Sequence, residues 1–374
     1  MAANRKILLV FDGGLAPGYT AVCVGMTEEG EARGFEVWAA QEGFRSLTGD
    51  TRSEFRIVRV VMDAQDAFEV NRQGIPSQVM YRRITDPGCN FRSERYRNFV
   101  DTDLQRKAAQ FIDDRGFTHV TFVGGNGTLH GAKALCNFLD ERIHVGFINC
   151  SADSDLLGDR SVGFLTALEE GARLARGLFE DAFTLKRHYI LEMMGNRGGK
   201  HALHCGCSAR AHIIILPQMD LSSEIMRDIA ETLHTQSHSL TVIAEGYKLD
   251  ERSAIAGPRL SASEWFKEEL AKHDFCDHPD KRVIAESFSR FIRGTPPLMM
   301  ECELVYLKCQ LLYDAFERGE SRIIAYYLGE HDLGTRLISE VQTDNSVSLD
   351  FLNMIDRFHI QSLRDHARRV YKNA

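Results

Sequence analysis

The sequence lacks several features that would place it in a special class of protein. No apolar run approaches the ~18 residues of a membrane span, and the first residues lack the apolar stretch of a signal peptide. The 30 glycines follow no three-residue period, and no repeat or low-complexity segment is present. With 45 basic and 53 acidic residues, the net charge is −8, so the chain has no overall attraction for nucleic acid or an anionic membrane. We therefore expect a cytoplasmic protein without nucleic-acid or membrane partners, in which local clusters of Arg, Lys or backbone N–H groups hold any anionic ligand.

The cysteines offer no disulfide framework either. There are 9, an odd number, and most lie inside apolar runs, which indicates reduced thiols. What is present is an ordinary globular composition, with 44% apolar and 26% charged residues. A length of 374 residues predicts about two domains.

Short apolar runs alternate with amphipathic stretches along most of the chain. The runs predict buried strands at residues 6–10, 35–40, 119–123, 145–148, 188–192, 213–216 and 240–244. Helical periodicity predicts helices at residues 101–115, 129–139, 198–210 and 298–319. Residues 249–283 predict a charged surface segment held by Trp265, Phe266 and Leu270. Strand, glycine turn, helix and strand in succession are typical of a doubly wound α/β sheet.

Two glycine-rich turns follow predicted strands, at residues 13–18 (GGLAPG) and 124–128 (GGNGT). Glycine lets a phosphate approach the backbone N–H groups, and the helix that follows adds its positive amino-terminal end. Neither turn is a Walker A loop or a dinucleotide-binding G-x-G-x-x-G motif. The alternative interpretation is a plain strand-to-helix turn in each case.

Charged residues supply further candidates. Asp153 and Asp155 follow a predicted strand and suit a general base and a metal-linked carboxylate, or else an Asx turn or helix cap. Arg290 and Arg293 lie beside Gly and Pro, as in a phosphate clamp, or else serve solubility.

Taken in order, these segments resemble the motifs of the 6-phosphofructokinase family. The first turn and residues 19–20 (GGLAPGYT) are similar to GGDAPGMN, and the second turn is similar to GGDGS. Residues 149–155 (NCSADSD) resemble PGTIDND, and residues 163–168 (GFLTAL) match GFxTAL. Weaker likenesses lie at residues 192–196 (EMMGN), 244–246 (AEG) and 290–296 (RFIRGTP). The likeness covers about residues 1–330.

The resemblance implies an α/β kinase of two Rossmann-like, doubly wound lobes. Residues 1–164 and 292–345 would form the lobe for the phosphoryl donor, and residues 165–291 and 346–374 the lobe for the sugar phosphate. It implies ATP as donor, Mg²⁺ as cofactor and, most simply, fructose 6-phosphate as acceptor. It also implies a homo-oligomer, dimer or tetramer, with shared active sites, because the residue matching Arg187 reaches into a neighbouring subunit in the family.

The same resemblance carries over individual roles. Asp153 matches the base that takes the proton from the sugar hydroxyl, and Asp155 and Ser151 complete the catalytic set. The donor-binding positions are Gly14, Phe44, Arg95, Gly125, Asn126, Gly127 and Thr128, with Phe44 near the adenine. The sugar-phosphate positions are Arg187, Met194, Gly195, Asn196, Glu245, Arg290 and Arg293. The metal positions are Asn126 and Asp155.

Several positions depart from the family pattern. Asn126 replaces the Asp that carries Mg²⁺, and Leu15 replaces a carboxylate in the first motif. In the sugar lobe, Arg290 replaces a His and Asn196 replaces an Arg, so a sugar phosphate other than fructose 6-phosphate stays an alternative acceptor.

The donor is argued from two positions. Pyrophosphate-using members have an Asp that blocks the nucleotide and a Lys that grips pyrophosphate, where this chain has Gly127 and Cys150. ATP is therefore favoured. The alternatives are a pyrophosphate-dependent phosphotransferase of the same fold and a non-catalytic or regulatory sugar-phosphate binder, although the retained Asp153 argues against the latter.

Overall fold

The computed structural model describes residues 5–80, 83–256, 260–278, 280–327, 332–344 and 346–347. The chain divides into two compact units. Unit 1 comprises Met1–Thr166 with Arg293–Asp344, and unit 2 comprises Ala167–Ile292 with Asn345–Ala374. Within the described ranges, no helix is both long and apolar enough to cross a membrane.

Strands and helices alternate along both units. The strands are β1 (Arg5–Phe11), β2 (Phe35–Ala40), β3 (Ile57–Val61), β4 (Ser77–Val79), β5 (His119–Gly124), β6 (His144–Asn149), β7 (Arg187–Met193), β8 (Ile213–Ile215), β9 (Ser239–Ala244), β10 (Arg282–Ser287), β11 (Ile323–Tyr327) and β12 (Leu333–Leu337). The helices are α1 (Tyr19–Ala32), α2 (Phe44–Thr48), α3 (Ala64–Arg72), α4 (Thr102–Asp114), α5 (Asn126–Cys136), α6 (Phe164–Leu185), α7 (Lys200–Ser208), α8 (Ser223–His234), α9 (Leu249–Ala256), α10 (Ala262–Ala271), α11 (Ser289–Arg293) and α12 (Met299–Glu317).

Each unit is built on one sheet. The strand order in unit 1 is β12-β11-β6-β5-β1-β2-β3-β4, and the order in unit 2 is β10-β7-β9-β8. All pairs are parallel except β2 with β3 and β11 with β12. In unit 1, the buried faces of β1, β5 and β6 pack against α4 and α5. The predicted α/β class is confirmed.

The seven predicted strands are all present, with their ends displaced by no more than one residue. Strands β3, β4, β10, β11 and β12 were not predicted. Three of them, β4, β10 and β12, lie at sheet edges. Charged residues, such as Arg59 in β3 and Arg336 in β12, interrupt the apolar pattern of the missed strands. The predicted surface segment contains α9 and α10, and its expected anchors Trp265, Phe266 and Leu270 are buried on α10.

A buried ion pair fixes the segment that follows β6. The Nζ of Lys308 on α12 lies 3.0 Å from an oxygen of Asp159, and both side chains are 0% exposed. The Asp159 carboxylate also accepts the Asn149 side-chain N–H at 3.0 Å and the Tyr327 backbone N–H at 2.8 Å. Lys308 also donates to the Arg160 carbonyl. The pair thus joins the end of β6, the end of β11 and α12.

Helix α12 also carries a buried acid, Glu301, which holds the start of α6. Glu301 is 0% exposed and accepts the backbone N–H groups of Gly163, Leu165 and Thr166 at 2.9, 3.1 and 3.1 Å, together with the Thr166 hydroxyl. The first N–H groups of a helix have no partner within the helix, and a carboxylate suits the positive end of its dipole. The GFLTAL segment is therefore anchored from α12.

Removal of one partner of the buried pair is expected to destabilise unit 1 strongly. Lys308→Met leaves a buried carboxylate without its countercharge, at a cost of about 3–5 kcal/mol in the free energy of unfolding. Urea denaturation measures this cost. The double variant Asp159→Asn/Lys308→Met should recover part of it, because it leaves no buried charge and the amide oxygen can still accept from one of the two donors, Asn149 or Tyr327.

Arg142→Met is the matched control, since Arg142 pairs with Asp140 at 2.9 Å on the surface and is 79% exposed. It should change stability little. Equal losses in Lys308→Met and Arg142→Met would contradict the assignment.

Candidate active site

Three polar segments meet at one edge of the sheet in unit 1. Strands β1, β5 and β6 are neighbours and parallel, so the residues after their carboxyl ends lie side by side. These are residues 12–18, 125–128 and 150–155. Because β2 lies on one side of β1 and β5 on the other, the chain changes direction at β1, which is where open α/β sheets bind ligands.

Direct hydrogen bonds join the two glycine turns. The Asp12 carbonyl accepts the Thr128 hydroxyl at 2.9 Å and the Tyr19 hydroxyl at 2.8 Å. A Cβ atom at Gly124 would lie 2.6 Å from that carbonyl, so only glycine allows this approach. Thr128 is 1% exposed, and its hydroxyl is used inside the protein. Thr128 was predicted to bind the donor. In the structure, its hydroxyl instead fixes the two turns relative to each other.

The acidic segment after β6 packs against the second turn. Asp155 is 5% exposed, and its Oδ2 accepts the backbone N–H of Asn126 at 3.2 Å, at the first residue of α5. The helix-cap interpretation therefore holds for Asp155. Asp153 is only half-buried, and its backbone N–H donates to Ser151 Oγ at 3.1 Å. Asp153 thus lies two residues before the acid that meets α5, in a segment held by its own hydrogen bonds.

The glycines of the second turn differ in the space around them. A Cβ atom at Gly125 would lie 2.9 Å from Ser151 Oγ and 3.4 Å from Asp155 Oδ1. A Cβ atom at Gly127 would meet nothing within 4 Å. Gly125 is therefore the contact between turn and acidic segment, whereas Gly127 faces open space.

The first turn has a guanidinium group next to it. A Cβ atom at Gly14 would lie 3.2 Å from Arg95 Nη2, and the Arg95 side chain is exposed. An exposed cation beside a glycine turn suits an anionic ligand. The structure thus brings together Gly14 and Arg95, two of the predicted donor positions.

Phe44 is a correction to the predicted site. Its side chain is 2% exposed, and its ring stacks on that of Phe99 with centroids 4.2 Å apart and packs against Phe122. An aromatic ring packed into the core in this way offers no free face to an adenine. Phe44 supports the turn from within the core instead.

The sequence analysis missed Asp12, which lies directly after β1. It is 6% exposed, and burial raises the pKa of its carboxyl group from 3.8 to about 7, with a further rise from Glu94 and an opposing effect of the Phe44 N–H. An Asp before two glycines was the available signal. No motif of the family drew attention to it.

Both predicted metal positions, Asn126 and Asp155, have suitable oxygens. Asn126 Oδ1 is buried and accepts no hydrogen bond from the described residues, and the Asp155 carboxylate lies beside the same residue. In the described part of the chain, no group of three or more His, Cys, Asp and Glu could hold a metal by itself. Mg²⁺ usually takes one or two protein oxygens and completes its shell with substrate phosphates and water. The residues therefore fit a magnesium site that donor phosphates complete.

Unit 2 presents its own polar edge, at the carboxyl ends of β7 and β9. Glu245 Oε1 accepts the backbone N–H groups of Gly195, at 3.1 Å, and of Asn196. A Cβ atom at Gly246 would lie 2.4 Å from the Asn196 carbonyl, so the two loops touch through their backbones. Met194 is 4% exposed, which places it in the core behind this edge.

Buried charges hold these loops. Arg252 is 3% exposed and donates to the carbonyls of Tyr247 at 2.9 Å, of Leu260 at 2.6 Å and of Glu245. Glu192, near the end of β7, is 9% exposed and accepts the N–H of Ala262; burial, followed by Glu245, raises the pKa of its carboxyl group. Neither residue was among the predicted site residues.

The three predicted arginines of the sugar site occupy different places. Arg290 is exposed and follows β10, whose end pairs with Glu192 of β7, so it lies at the same edge as Glu245. Arg187 begins β7 and therefore lies at the opposite edge, roughly 20 Å away for a strand of seven residues. Arg293 belongs to unit 1, and its Nε is buried without a hydrogen-bond partner among the described residues.

Comparisons with known proteins agree on one family. The family model described as Phosphofructokinase matches residues 6–306. The ATP-dependent 6-phosphofructokinase of Chloroflexus aurantiacus is 30% identical over 276 residues, which cover 72% of this chain and 73% of that protein.

Solved structures show the same fold. The phosphofructokinase of Pichia pastoris in the T-state superposes with a TM-score of 0.70 at 18% identity, covering 97% of this chain but only 38% of that chain. The pyrophosphate-dependent phosphofructokinase of Marinobacter aquaeolei gives a TM-score of 0.70 at 14% identity, covering 95% of this chain and 91% of that one.

Gly125 and Gly127 of the second turn are expected to respond differently to the same substitution. Gly125→Ala forces Ser151 or Asp155 to move and should lower the free energy of unfolding by about 1–3 kcal/mol. Gly127 lies two residues further along the chain. Gly127→Ala should leave the free energy of unfolding unchanged or raise it by up to about 1 kcal/mol, because Ala favours the helix. Parallel urea denaturation curves compare the two variants, and equal losses would contradict the packing described here.

Proposed function

This chain belongs to the phosphofructokinase family, and on that premise we propose that it transfers the γ-phosphoryl group of ATP to a hydroxyl of a sugar phosphate. The simplest acceptor is fructose 6-phosphate, which would become fructose 1,6-bisphosphate. The observation that carries the proposal is the segment after β6. There Asp153 is half-buried in a segment fixed by hydrogen bonds, and Asp155, two residues further on, accepts the first backbone N–H of α5.

Asp153 acts as the general base. Its carboxylate takes the proton of the sugar hydroxyl as the hydroxyl oxygen attacks the γ-phosphorus. The bond from that phosphorus to the β,γ-bridging oxygen breaks, and ADP leaves. The hydrogen bond from the Asp153 N–H to Ser151 Oγ, and the bonds of Ser151 to Val162 and Ser161, keep the base in place.

The two glycine turns hold the donor. Gly14 and Gly127 bring no side chain between the backbone and the phosphate oxygens, and α5 adds its positive amino-terminal end. Arg95, beside Gly14, binds the phosphates through its guanidinium group. Asn126 and Asp155 hold Mg²⁺, which would neutralise charge on the β- and γ-phosphates.

Two positions support ATP over pyrophosphate. Gly127 is exposed with open space around it, so a nucleotide meets no carboxylate there. Cys150 is 0% exposed, and its Sγ lies 3.6 Å from the Pro17 carbonyl, so it offers no group that grips pyrophosphate. Phosphofructokinases named for each of the two donors are among the proteins to which the chain is similar.

The sugar phosphate binds at the polar edge of unit 2. Glu245 and the loop of Met194, Gly195 and Asn196 hold the sugar, while Arg290 faces its phosphate. Arg187 lies at the opposite edge of the same sheet, which supports its assignment to the active site of a second copy. A dimer or tetramer with shared sites follows, with unit 1 as the donor lobe and unit 2 as the sugar lobe.

A substrate panel tests the reaction. Fructose 6-phosphate and other sugar monophosphates are each offered with ATP or pyrophosphate and Mg²⁺, and product is followed by phosphorus NMR. Turnover with ATP and one sugar phosphate is expected. Turnover with pyrophosphate but not with ATP would identify pyrophosphate as the donor. No turnover with any pair would favour a non-catalytic binder.

Asp153→Asn is expected to lower kcat by about 10²- to 10⁴-fold, the usual contribution of a general base. The variant should keep its circular dichroism spectrum and its ATP affinity, since the Asn backbone retains the bond to Ser151. Asp140→Asn, an acid on the surface after α5, serves as control. Near-normal kcat in Asp153→Asn would show that another group takes the proton.

Gly127→Asp is expected to raise the KM for ATP at least about tenfold, because a carboxylate at this turn repels the donor phosphates. The open space at Gly127 accommodates the side chain without disturbing the turn. Gly127→Asn, of the same size but neutral, is the matched control and should change the KM far less. An unchanged KM in Gly127→Asp would place the donor elsewhere.

A further inference from the structure

Asp12 connects the segments that follow three strands. Its carbonyl accepts from Tyr19, at the start of α1, and from Thr128 on α5, as described above. Its side-chain Oδ1 accepts the backbone N–H of Phe44, the first residue of α2, at 3.3 Å. A Cβ atom at Gly43 would lie 2.5 Å from the same oxygen. One residue thus sets the spacing between the turns after β1, β2 and β5.

The surroundings of the Asp12 carboxyl group favour its protonated form. Glu94 acts on it from the loop ahead of Arg95, and the Glu94 carboxylate pairs with Arg45 of α2 at 2.9 Å. The fully buried Tyr19 of α1 and Thr128 of α5 bring only hydroxyl groups, and both hydroxyls donate to the backbone carbonyl of Asp12, not to its carboxyl group. With burial as the main cause, the pKa of Asp12 stands at about 7, so the group changes charge near neutral pH.

We propose that Asp12 is a positioning residue for the phosphoryl donor, which holds the three donor-side segments in register and carries a proton while the donor is bound. The inference rests on the proposed function, because it needs a polyanion at the turn that Asp12 precedes. The family motifs contain no counterpart that assigns this position a role.

The physical reason is charge repulsion. Donor phosphates at Gly14 would bring several negative charges close to a buried carboxyl group, and nearby like charges disfavour its ionised form. Donor binding should therefore raise the pKa of Asp12 and take up a fraction of a proton near pH 7. By linkage, each unit of that rise makes the donor bind tenfold more tightly to the protonated protein than to the ionised one.

Calorimetric titration with ATP and Mg²⁺, and separately with pyrophosphate and Mg²⁺, tests this at pH 6, 7 and 8. Buffers of different ionisation enthalpy reveal proton uptake. In the wild type we expect uptake at pH 7 and a Kd that rises about two- to fivefold from pH 6 to pH 8, corresponding to a pKa rise of about half to one unit.

Two variants separate charge from geometry. Asp12→Asn keeps the acceptor for the Phe44 N–H but cannot ionise. Its proton uptake and the change of its Kd with pH should therefore show no excess over the control, while the donor still binds tightly. Asp12→Ala loses the acceptor and should bind the donor more weakly at every pH. Asp140→Asn is the control, because the pKa of Asp140 is lowered to about 2 by Arg142 and the group stays ionised throughout.

A measurement without ligand checks the proton itself. An acid whose pKa is raised on folding gives up stability as pH rises from the unfolded value, near 3.8, to the folded value, near 7. The wild type should therefore lose stability relative to Asp12→Asn across this window. A constant difference would show that Asp12 does not hold its proton.

The outcomes distinguish the two proposals. If neither ATP nor pyrophosphate binds to the wild type, the proposed function fails and this inference fails with it. If a donor binds but Asp12→Asn keeps the wild-type proton uptake, or Asp12→Ala binds like the wild type, this inference alone is overturned.

Discussion

The ion pair between Lys308 and Asp159 is the constraint on which the polar edge of unit 1 depends. Two charges that are 0% exposed are tolerable only because each is fully hydrogen-bonded, here to one another, to Asn149, to Tyr327 and to the Arg160 carbonyl. Those bonds fasten the loop after β6 to α12 and β11. The loop carries the proposed base Asp153, so a pair remote from the substrate determines where the base lies.

The same principle recurs at other loops: a buried charged side chain binds backbone groups that no strand or helix satisfies. Buried Glu301 accepts the first N–H groups of α6, and buried Arg252 donates to carbonyls after β9. The half-buried Glu245 joins the loops after β7 and β9 in the same way. Buried backbone groups without partners are costly, so each contact stabilises one conformation of a loop. The polar edges of both units are therefore arranged before any ligand binds.

Much of this could be predicted from the sequence. The buried strands were located to within one residue, since a parallel strand buried on both faces is a continuous apolar run. The order of the glycine turns and of Asp153 was sufficient to recognise the family. In the structure, Gly14 lies beside Arg95 and Asp155 beside Asn126, while their part in binding a donor stays a prediction. Strand β3 and the edge strand β12 were missed because Arg59 and Arg336 interrupt their apolar patterns.

The sequence by itself determined the fold class, the family and the strand ends that carry the candidate site residues, because periodicity and glycine spacing are local properties. Only the tertiary structure decided that Phe44 lies in the core, that Arg187 lies across the sheet from Glu245, and that Asp12 is buried between three loops. Burial and proton affinity depend on which distant segments pack around a residue. Asp12 and Thr128 are 116 positions apart in the sequence, and Lys308 and Asp159 are 149 positions apart. No local sequence pattern can therefore predict either contact.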